Sequence, residues 1–306
     1  MTNPHLSIII PTQRRPKGLA TAARSAFAQT GVDQKNLELV IVDNDQVPSA
    51  KALVDKLTAE APFPVVYVHE PVAGVANARN AALSAAKGEL IAFLDDDEEA
   101  PADWLSALLK VMQAYEADAV FGPVHARAPA GVKAHRAYLE KFFSRLDASP
   151  EGLIDHYYGC GDSLVRRSAL PDPMKPFSTA RNFIGGEDDL LFGNMQRAGK
   201  RIAWAPRAWV WEDPIPERLT LGYTIRRAFA YGQGPSENCA VAGDGLGVAR
   251  WMAVGVVQAA VYGALAGIKF LTRSASFADT LDRAARGLGK TLWWGPFKIQ
   301  FYGRTA

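Results

Sequence analysis

Short apolar runs alternate with longer stretches of helical periodicity through the first 125 residues of the chain. This alternation predicts β-α-β units, and therefore an α/β fold with a mainly parallel sheet flanked by helices. Strands are predicted at residues 6–10, 37–42, 65–69, 89–94 and 119–124. Helices are predicted between them, at about residues 17–29, 48–59, 75–86 and 101–115.

The periodicity weakens between residues 131 and 186, where proline, glycine and aromatic residues are interleaved. Such a segment is expected to shape a pocket rather than to extend a regular sheet. The pattern then predicts a helix at residues 187–198, a strand at 201–205 and a helix at 219–231. We therefore expect one large domain over residues 1–235 and a separate C-terminal helical region over residues 236–306.

The C-terminal region is both apolar and basic. Residues 251–268 carry no charge, and a run of 18 is at the lower limit for crossing a bilayer. Residues 269–306 hold seven Lys or Arg against two Asp, interleaved with aromatic residues such as Trp293 and Trp294, which suits an anionic membrane interface. We predict an appendage that lies in or dips into the membrane. The alternative is a buried helical hairpin, and Gly263 and Gly267 have a spacing that favours close helix packing.

Length and composition fit this division, because 306 residues with 48% hydrophobic and 22% charged residues suffice for a large domain and an appendage. The first residues show no signal-peptide pattern. Cys160 and Cys239 are the only cysteines and lack metal-ligand spacing, which fits a reducing compartment. We expect the catalytic part to be cytoplasmic.

Three acids, Asp95-Asp96-Asp97, follow the apolar run at residues 89–94. Side chains alternate along an extended chain, so Asp95 and Asp97 can share one side while Asp96 points to the other. Two carboxylates on one side can hold Mg²⁺ or Mn²⁺, which prefer oxygen ligands. The alternative is a solvated acidic turn before the helix that begins near Pro101.

Other polar clusters follow the first two predicted strands, at Pro11-Thr12 and at Asp43-Asn44-Asp45. In open α/β sheets ligands bind beyond the carboxyl ends of the strands, where these clusters and the Asp triplet should meet. The segment from Gly74 to Asn80 opens a helix, whose N-terminus and Arg79 could bind phosphate. Arg79 could equally be a solvated charge.

A second acidic cluster, Glu187-Asp188-Asp189, follows Gly185-Gly186 at the predicted start of a helix. A carboxylate presented there could accept a proton from a substrate hydroxyl. Acids are also common at helix N-termini for electrostatic reasons alone. Taken by itself, this cluster leaves both interpretations open.

Taken in order, five motifs resemble those of the family 2 glycosyltransferases with a GT-A fold, over roughly residues 6–235. They are Ile8-Ile9-Ile10-Pro11-Thr12, Val40-Ile41-Val42-Asp43-Asn44, the segment at 74–80, Phe93-Leu94-Asp95-Asp96-Asp97 and Gly186-Glu187-Asp188. The resemblance implies a nucleotide-sugar half at about residues 1–125 and an acceptor half at about 126–235.

The resemblance also implies a role for each motif residue. Asp188 would be the general base, with Glu187 as second candidate, and Asp97 with Asp95 would hold the divalent cation. The nucleotide sugar would be bound by Pro11, Thr12, Arg14, Asp43, Arg79, Asp95 and Asp96. Relatives often have a metal-side His where this chain has Glu212 and an Asn where it has Asp162. Trp204, Trp209 and Trp211 could form an acceptor platform or pack in the core.

The segment at residues 209–220 is similar to the branch that contains bacterial exopolysaccharide glucosyltransferases of the succinoglycan type. The implied activity is an inverting, metal-dependent transfer from a UDP-sugar to a saccharide acceptor, polyprenyl-linked or free, at the cytoplasmic face of the bacterial inner membrane. The alternative is a noncatalytic nucleotide-sugar-binding scaffold of a polysaccharide assembly complex. No nucleic-acid partner is expected.

Two other classes of nucleotide-binding protein are disfavoured by the sequence. A nucleotidyltransferase would have a glycine-rich loop after the first strand, whereas this chain has residues 11–16 without glycine. A nicotinamide oxidoreductase would have G-x-G-x-x-G after a strand, and no such motif follows a predicted strand in this sequence. Gly287-Leu288-Gly289-Lys290-Thr291 resembles a P-loop, but Ala284 stands where the earlier glycine is required and no strand precedes it.

Overall fold

The fold is described from a computed structural model, which describes residues 5–182 and 185–299. These residues form two compact units. The first comprises residues 5–125 and 144–213, apart from 183–184, and the second comprises residues 126–143 and 214–299. The boundary predicted at residue 235 falls inside a helix of the second unit.

In chain order, the strands are β1 (Leu6–Thr12), β2 (Leu37–Asp43), β3 (Val65–His69), β4 (Leu90–Phe93), β5 (Glu98–Glu99), β6 (Ala119–Phe121), β7 (Val124–Ala126), β8 (Gly152–Ile154), β9 (Ser163–Arg166), β10 (Ile202–Trp204) and β11 (Val210–Glu212). The α-helices are α1 (Pro16–Phe27), α2 (Lys51–Glu60), α3 (Val75–Ala85), α4 (Trp104–Ala114), α5 (Arg136–Phe143), α6 (Glu187–Arg197), α7 (Leu221–Val241), α8 (Gly245–Leu271) and α9 (Phe277–Thr291). The predicted α/β architecture is confirmed.

The main sheet has eight strands in the order β3-β2-β1-β4-β9-β6-β10-β8, and a small second sheet has the order β5-β11-β7. Strands β3, β2, β1 and β4 run parallel, with Thr12 opposite Asp43 at the end of the β1-β2 pair. Their carboxyl ends therefore meet at one edge, and the Asp triplet begins two residues after β4. The predicted gathering of polar clusters at this edge is confirmed.

Strand β9 was not predicted, yet it lies at the centre of the sheet and pairs antiparallel with both β4 and β6. It is only four residues long and lies in the segment of weak periodicity, so its sequence carries little signal. The pairing of Phe93 with Ser163 brings residues 159–162 beside the Asp triplet.

The core of the first unit follows the alternation of side chains along the strands. Ile8 and Ile10 of β1 pack into the apolar layer on one side of the sheet, which includes helices α1 and α4. Ile9 packs into the layer on the other side, with α3 and α6. The strand predicted at residues 119–124 is broken at Gly122-Pro123, where a Cβ on Gly122 would lie 1.8 Å from the carbonyl oxygen of Ala208.

In the second unit, α9 packs against both α7 and α8, and glycines allow the close approach. A Cβ on Gly289 would lie 2.0 Å from the carbonyl oxygen of Phe229 on α7, and one on Gly287 would lie 2.6 Å from the backbone nitrogen of Ala259 on α8. These glycines are therefore helix-packing residues, which confirms that the segment is not a P-loop. Gly263 and Gly267 have the spacing that favours close helix packing, but the part of the chain described here places nothing within 4 Å of a Cβ added to either.

Helix α8 is long and apolar enough to cross a membrane, judged by length and composition. Only 11% of its most apolar 18-residue window is buried. Val254, Val257, Val261 and Leu265 are among its exposed residues. Helices α8 and α9 do form a hairpin, but the alternative of a buried hairpin is wrong for α8.

Candidate active site

The Asp triplet lies in a tight turn that joins the main sheet to β5. The Glu98 N–H donates to the Asp95 carbonyl oxygen (3.0 Å), and the Asp95 N–H donates to Glu98 Oε2 (2.8 Å). Glu98 is buried, and this burial together with the nearby Asp95 raises the pKa of its carboxyl well above its usual range. The turn is thus built around an acid that sequence reasoning did not single out.

Arg15 binds the last two acids of the triplet. Its Nη1 donates to Asp96 Oδ1 (2.9 Å) and to Asp97 Oδ2 (2.7 Å). The hydroxyl of Thr12 donates to Asp96 Oδ2 (2.7 Å), as expected for a residue predicted to lie at the same site. Burial raises the pKa of Asp96 to about 6, although Arg15 opposes the shift. Sequence reasoning missed Arg15 and chose the preceding residue, Arg14, which instead forms a bidentate pair with Asp45 at 2.7 and 2.8 Å.

Arg79 joins the two acidic clusters. It is only 5% exposed, and its Nη1 donates to Glu187 Oε1 (2.6 Å) while its Nη2 lies 3.5 Å from Asp95 Oδ1. Its guanidinium also lies over the ring of Phe177. Burial acts against the charge of Arg79, but the surrounding negative groups outweigh it and raise its pKa. The two clusters, 92 residues apart between Asp95 and Glu187, therefore line one site rather than separate patches of surface.

The two candidate bases differ in their surroundings. Glu187 is buried and bound by Arg79, and burial raises its pKa despite this cation. Asp188 is partly exposed. Within residues 5–182 and 185–299 its carboxylate accepts hydrogen bonds only from main-chain N–H groups, those of Cys160 (3.3 Å) and Asp189 (2.9 Å). Asp188 is thus the more accessible acid of this pair.

A glycine-containing loop runs between the Asp triplet and Asp188. A Cβ on Gly159 would lie 3.1 Å from Asp188 Oδ2, and one on Gly161 would lie 2.9 Å from Asp95 Oδ2. Asp162, which follows, is fully buried and accepts from the Trp104 indole N–H (2.7 Å). Burial raises the pKa of Asp162 to about 7. Its contacts make Asp162 a support for this loop rather than a surface group.

Two of the residues predicted to bind the nucleotide sugar already have partners within the protein. Asp43 is fully buried and accepts from the Ser49 hydroxyl (3.1 Å), the Ala50 N–H (2.6 Å) and the Tyr67 hydroxyl (3.0 Å). Pro11 lies in β1, where it is paired with Val42 of β2. The nucleotide contacts assigned to Pro11, Thr12, Arg14, Asp43, Arg79, Asp95 and Asp96 stay predictions.

Two N–H groups in the first turn of α3 already have a partner in the protein. Asn182 Oδ1 accepts from the N–H groups of Ala76 (3.0 Å) and Asn77 (3.3 Å) and so caps the helix. Gly74 has a φ of 137°, and a Cβ there would lie 2.3 Å from the Asn182 side chain. The close approach of Asn182 therefore requires glycine at residue 74.

The acids of the triplet suit a hard divalent cation that is shared with a substrate. No group of three or more His, Cys, Asp and Glu in the described ranges is arranged as a complete metal site. Mg²⁺ commonly binds through one or two carboxylates plus substrate phosphates, which is what Asp95 and Asp97 can offer. The Asp213 N–H donates to the Asp97 carbonyl oxygen (2.8 Å). Glu212 lies opposite Glu98 in the antiparallel β5-β11 ladder, so β11 adds a further acid beside the triplet. The residues fit such an ion.

Residues 7–172 match the family described as Glycosyl transferase family 2. Over 231 residues the chain is 40% identical to the succinoglycan biosynthesis protein ExoM of Rhizobium meliloti (strain 1021), which covers 75% of this chain and 73% of that protein. Over 108 residues it is 32% identical to a GalNAc(5)-diNAcBac-PP-undecaprenol beta-1,3-glucosyltransferase of Campylobacter jejuni, which covers 35% of this chain and 34% of that protein.

Two solved structures share the fold. The mannosyltransferase PcManGT from Pyrobaculum calidifontis, in complex with GDP-Man and Mn²⁺, has a TM-score of 0.62 at 19% identity and covers 95% of this chain and 88% of its own. S. aureus TarS 1–349 in complex with UDP-GlcNAc has a TM-score of 0.52 at 17% identity, covering 68% and 58%. The predicted GT-A-like fold is thereby confirmed. The chain belongs to glycosyl transferase family 2 and is a glycosyltransferase.

Proposed function

We propose that this glycosyltransferase moves a sugar from a UDP-sugar to a saccharide acceptor, with inversion at the anomeric carbon and with the help of a divalent cation. The observation that carries the proposal is the placement of Arg79, which holds Asp95 on the donor side and Glu187 at the start of α6. This arrangement leaves the neighbouring Asp188 partly exposed and without a direct ion pair among the described residues.

Asp97 and Asp95 would hold the divalent cation. When bound, the cation supplies positive charge that stabilises the departing nucleoside diphosphate. Asp97 is paired with Arg15 in this structure, so the cation would compete with that guanidinium. The Mn²⁺ bound to PcManGT supports the use of a divalent ion in general.

Asp188 would accept the proton of the acceptor hydroxyl as its oxygen attacks the anomeric carbon. The bond from that carbon to the diphosphate oxygen breaks, and the electron pair leaves with the diphosphate. Because the attack and the departure occur on opposite faces, one displacement converts an α-linked donor into a β-linked product. Arg79 would keep Glu187 and Asp95 in position during this step, because it binds both.

The setting we propose is bacterial cell-surface or exopolysaccharide synthesis, with a polyprenyl-linked saccharide as acceptor. It is supported by the names of two relatives, one of succinoglycan biosynthesis and one acting on an undecaprenol-linked saccharide. The exposed apolar helix α8 would hold the protein at the cytoplasmic face of the inner membrane, where such an acceptor is presented. TarS bound to UDP-GlcNAc supports a UDP-sugar as donor.

The test compares Asp188→Asn with Glu187→Gln and with Asp189→Asn, an exposed neighbour that serves as the matched control. Purified proteins are incubated with a panel of UDP-sugars, Mn²⁺ and lipid-linked acceptors extracted from the producing bacterium, and nucleotide release and transfer are measured. Loss of a general base should slow transfer by about 10²- to 10⁴-fold, with UDP-induced thermal stabilisation retained. Full activity of Asp188→Asn would contradict the assignment, as would an equal loss in Asp189→Asn.

A further inference from the structure

Arg145 binds both ends of the loop at residues 159–162, which leads into β9. Its Nη1 donates to the Gly159 carbonyl oxygen (3.0 Å), and its Nη2 donates to the Asp162 carbonyl oxygen (2.9 Å). Its Nε donates to the carbonyl oxygen of Gly122 (2.9 Å), which lies between β6 and β7. The side chain of Arg145 is only 13% exposed. Its guanidinium therefore acts on the shape of the main chain.

The loop needs such support because its last residue has an unfavourable backbone conformation. Asp162 has a φ of 49°, in the left-handed region. A residue other than glycine stays in that region only where the surrounding contacts hold it there. The Asp162 carbonyl oxygen accepts from both Arg145 and the Gly122 N–H (3.2 Å), and these two contacts fix the turn.

The side chain of Arg145 is itself held between aromatic rings. Its guanidinium lies 5.4 Å from the centre of the Tyr158 ring and 5.9 Å from that of Phe121. Tyr158 packs in turn against Trp204, which is fully buried, with ring centres 5.2 Å apart. Trp204 therefore packs in the core rather than forming an acceptor platform.

One peptide group connects Arg145 to the proposed base. The Gly159 carbonyl and the Cys160 N–H belong to the same peptide, and in a planar trans peptide these two groups point in opposite directions. Arg145 binds the oxygen, and the N–H donates to Asp188 Oδ2 (3.3 Å). By fixing the direction of the carbonyl, Arg145 also fixes the N–H that holds Asp188. Donation to the oxygen further polarises the peptide and strengthens its N–H as a donor.

The same loop also lies against the acids on the other side of the site. A Cβ on Gly161 would lie 2.6 Å from Glu98 Oε1 and 2.9 Å from Asp95 Oδ2, so the main chain there is in close contact with both side chains. The loop thus separates Asp188 from Asp95 and sets the distance between them.

We propose that Arg145 is a positioning residue for sugar transfer, which orients Asp188 relative to Asp95 through the loop at residues 159–162. It acts through the peptide between Gly159 and Cys160 and takes no proton itself. This proposal rests on the proposed function, since it assigns a support to the proposed general base.

The test uses Arg145→Met, which removes the donors and keeps an apolar side chain over the Tyr158 ring. Arg167→Met is the matched control, because Arg167 also binds main-chain carbonyls, including those of Ala86 (2.9 Å) and Gly88 (2.8 Å), but near the amino end of β4. Transfer and hydrolysis are measured against UDP-sugar concentration with Mn²⁺ present, together with the UDP-induced thermal shift. A displaced base should lower the kcat of Arg145→Met about tenfold to a hundredfold. The KM for the UDP-sugar and the thermal shift should stay near their wild-type values.

Combining Arg145→Met with Asp188→Asn separates positioning from a general structural defect. If Arg145 acts through the base, the kcat of the double variant should equal that of Asp188→Asn alone. The same fold loss in both backgrounds would overturn the proposal. A wild-type kcat for Arg145→Met, or an equal loss in Arg167→Met, would also overturn it.

If Arg145→Met does not fold, Arg145→Lys supplies the comparison. A lysine keeps the charge, but its single nitrogen cannot bind both loop carbonyls with the spacing of a guanidinium. Its kcat should fall to a smaller degree in the wild-type background and not at all beside Asp188→Asn, and an unchanged kcat in the wild-type background would overturn the proposal. A wild-type protein that neither transfers nor hydrolyses any UDP-sugar would instead contradict the proposed function itself.

Discussion

Replacing Arg79 by Met should destabilise the protein in a pH-dependent way. The substitution leaves Glu187 and Asp95 as unpaired acids in a site where Arg79 is 5% and Glu187 is 4% exposed. Removing one partner of a buried ion pair costs about 3–5 kcal/mol. We expect the lower end, about 3 kcal/mol, because the contacts of Arg79 in the wild type are not ideal. The contact with Asp95 is long at 3.5 Å, and Arg79 Nε lacks a hydrogen-bond partner in the described residues.

The sign of the pH dependence follows from the two carboxyls. Burial raises the pKa of Glu187 from 4.5 and that of Asp95 from 3.8, and Arg79 opposes both shifts. Without Arg79 both folded-state pKa values rise further. An acid whose pKa is higher in the folded state makes folding less stable as pH rises from the unfolded to the folded pKa. The excess destabilisation should therefore be largest near pH 7 and should shrink toward pH 4.5.

Urea unfolding at several pH values measures this effect, with a midpoint shift of about 1 M at neutral pH. Adding Glu187→Gln to Arg79→Met should recover part of the lost stability, since a neutral side chain then replaces the unpaired acid. Arg24→Met, which breaks the exposed pair with Glu60, is the control and should change the midpoint little. A loss that is the same at every pH, or that Glu187→Gln does not reduce, would refute the reasoning.

Three further predictions concern other parts of the chain. Arg15→Gln should raise Mn²⁺ affinity in the absence of nucleotide, measured by electron paramagnetic resonance, because it frees Asp97; an unchanged affinity would show that Arg15 does not compete with the ion. Asn182→Ala should lower the free energy of unfolding by about 1 kcal/mol through loss of the α3 cap, measured by urea unfolding, and an unchanged value would mean that water replaces the cap. Val257→Asp with Val261→Asp should reduce sedimentation with anionic lipid vesicles without changing UDP-sugar hydrolysis, and undiminished binding would exclude α8 as the membrane contact.

Local patterns were enough to predict the parallel half of the sheet. The strand predicted at residues 65–69 is found with the same bounds, because the apolar run is flanked by turn residues and has no competing periodicity. Helix α7 extends ten residues beyond its predicted end at 231, through Pro235, because it packs along α9 over a length that its own sequence does not specify. Strand β9 was missed for the same reason: its identity depends on β4 and β6, which it joins.

The positions of the acids could be predicted from the sequence, but their partners could not. Arg79 lies near the start of a helix, and this position suggests that it binds phosphate. Its contacts in the structure are instead with Asp95 and with Glu187, which is 108 residues away. Arg15 was passed over because nothing local distinguishes it from Arg14. Which of two adjacent arginines reaches the Asp triplet depends on the turn at residue 14, where φ is 55°.

Arg79 and Arg15 explain how the site gathers so many carboxylates in partly buried positions. Burial, together with repulsion from neighbouring acids, raises the pKa values of Asp95 and Asp96 even though Arg79 and Arg15 oppose the shifts. Arg79 offsets part of this cost from inside the protein, and Arg15 offsets part of it at Asp97, the proposed ligand of the divalent cation. Arg79 is buried, whereas the side chain of Arg15 is 25% exposed, so Arg15 is the more accessible of the two arginines. In the proposed function, a divalent cation would take the place of Arg15 beside Asp97, while Arg79 would keep its contacts with Asp95 and Glu187.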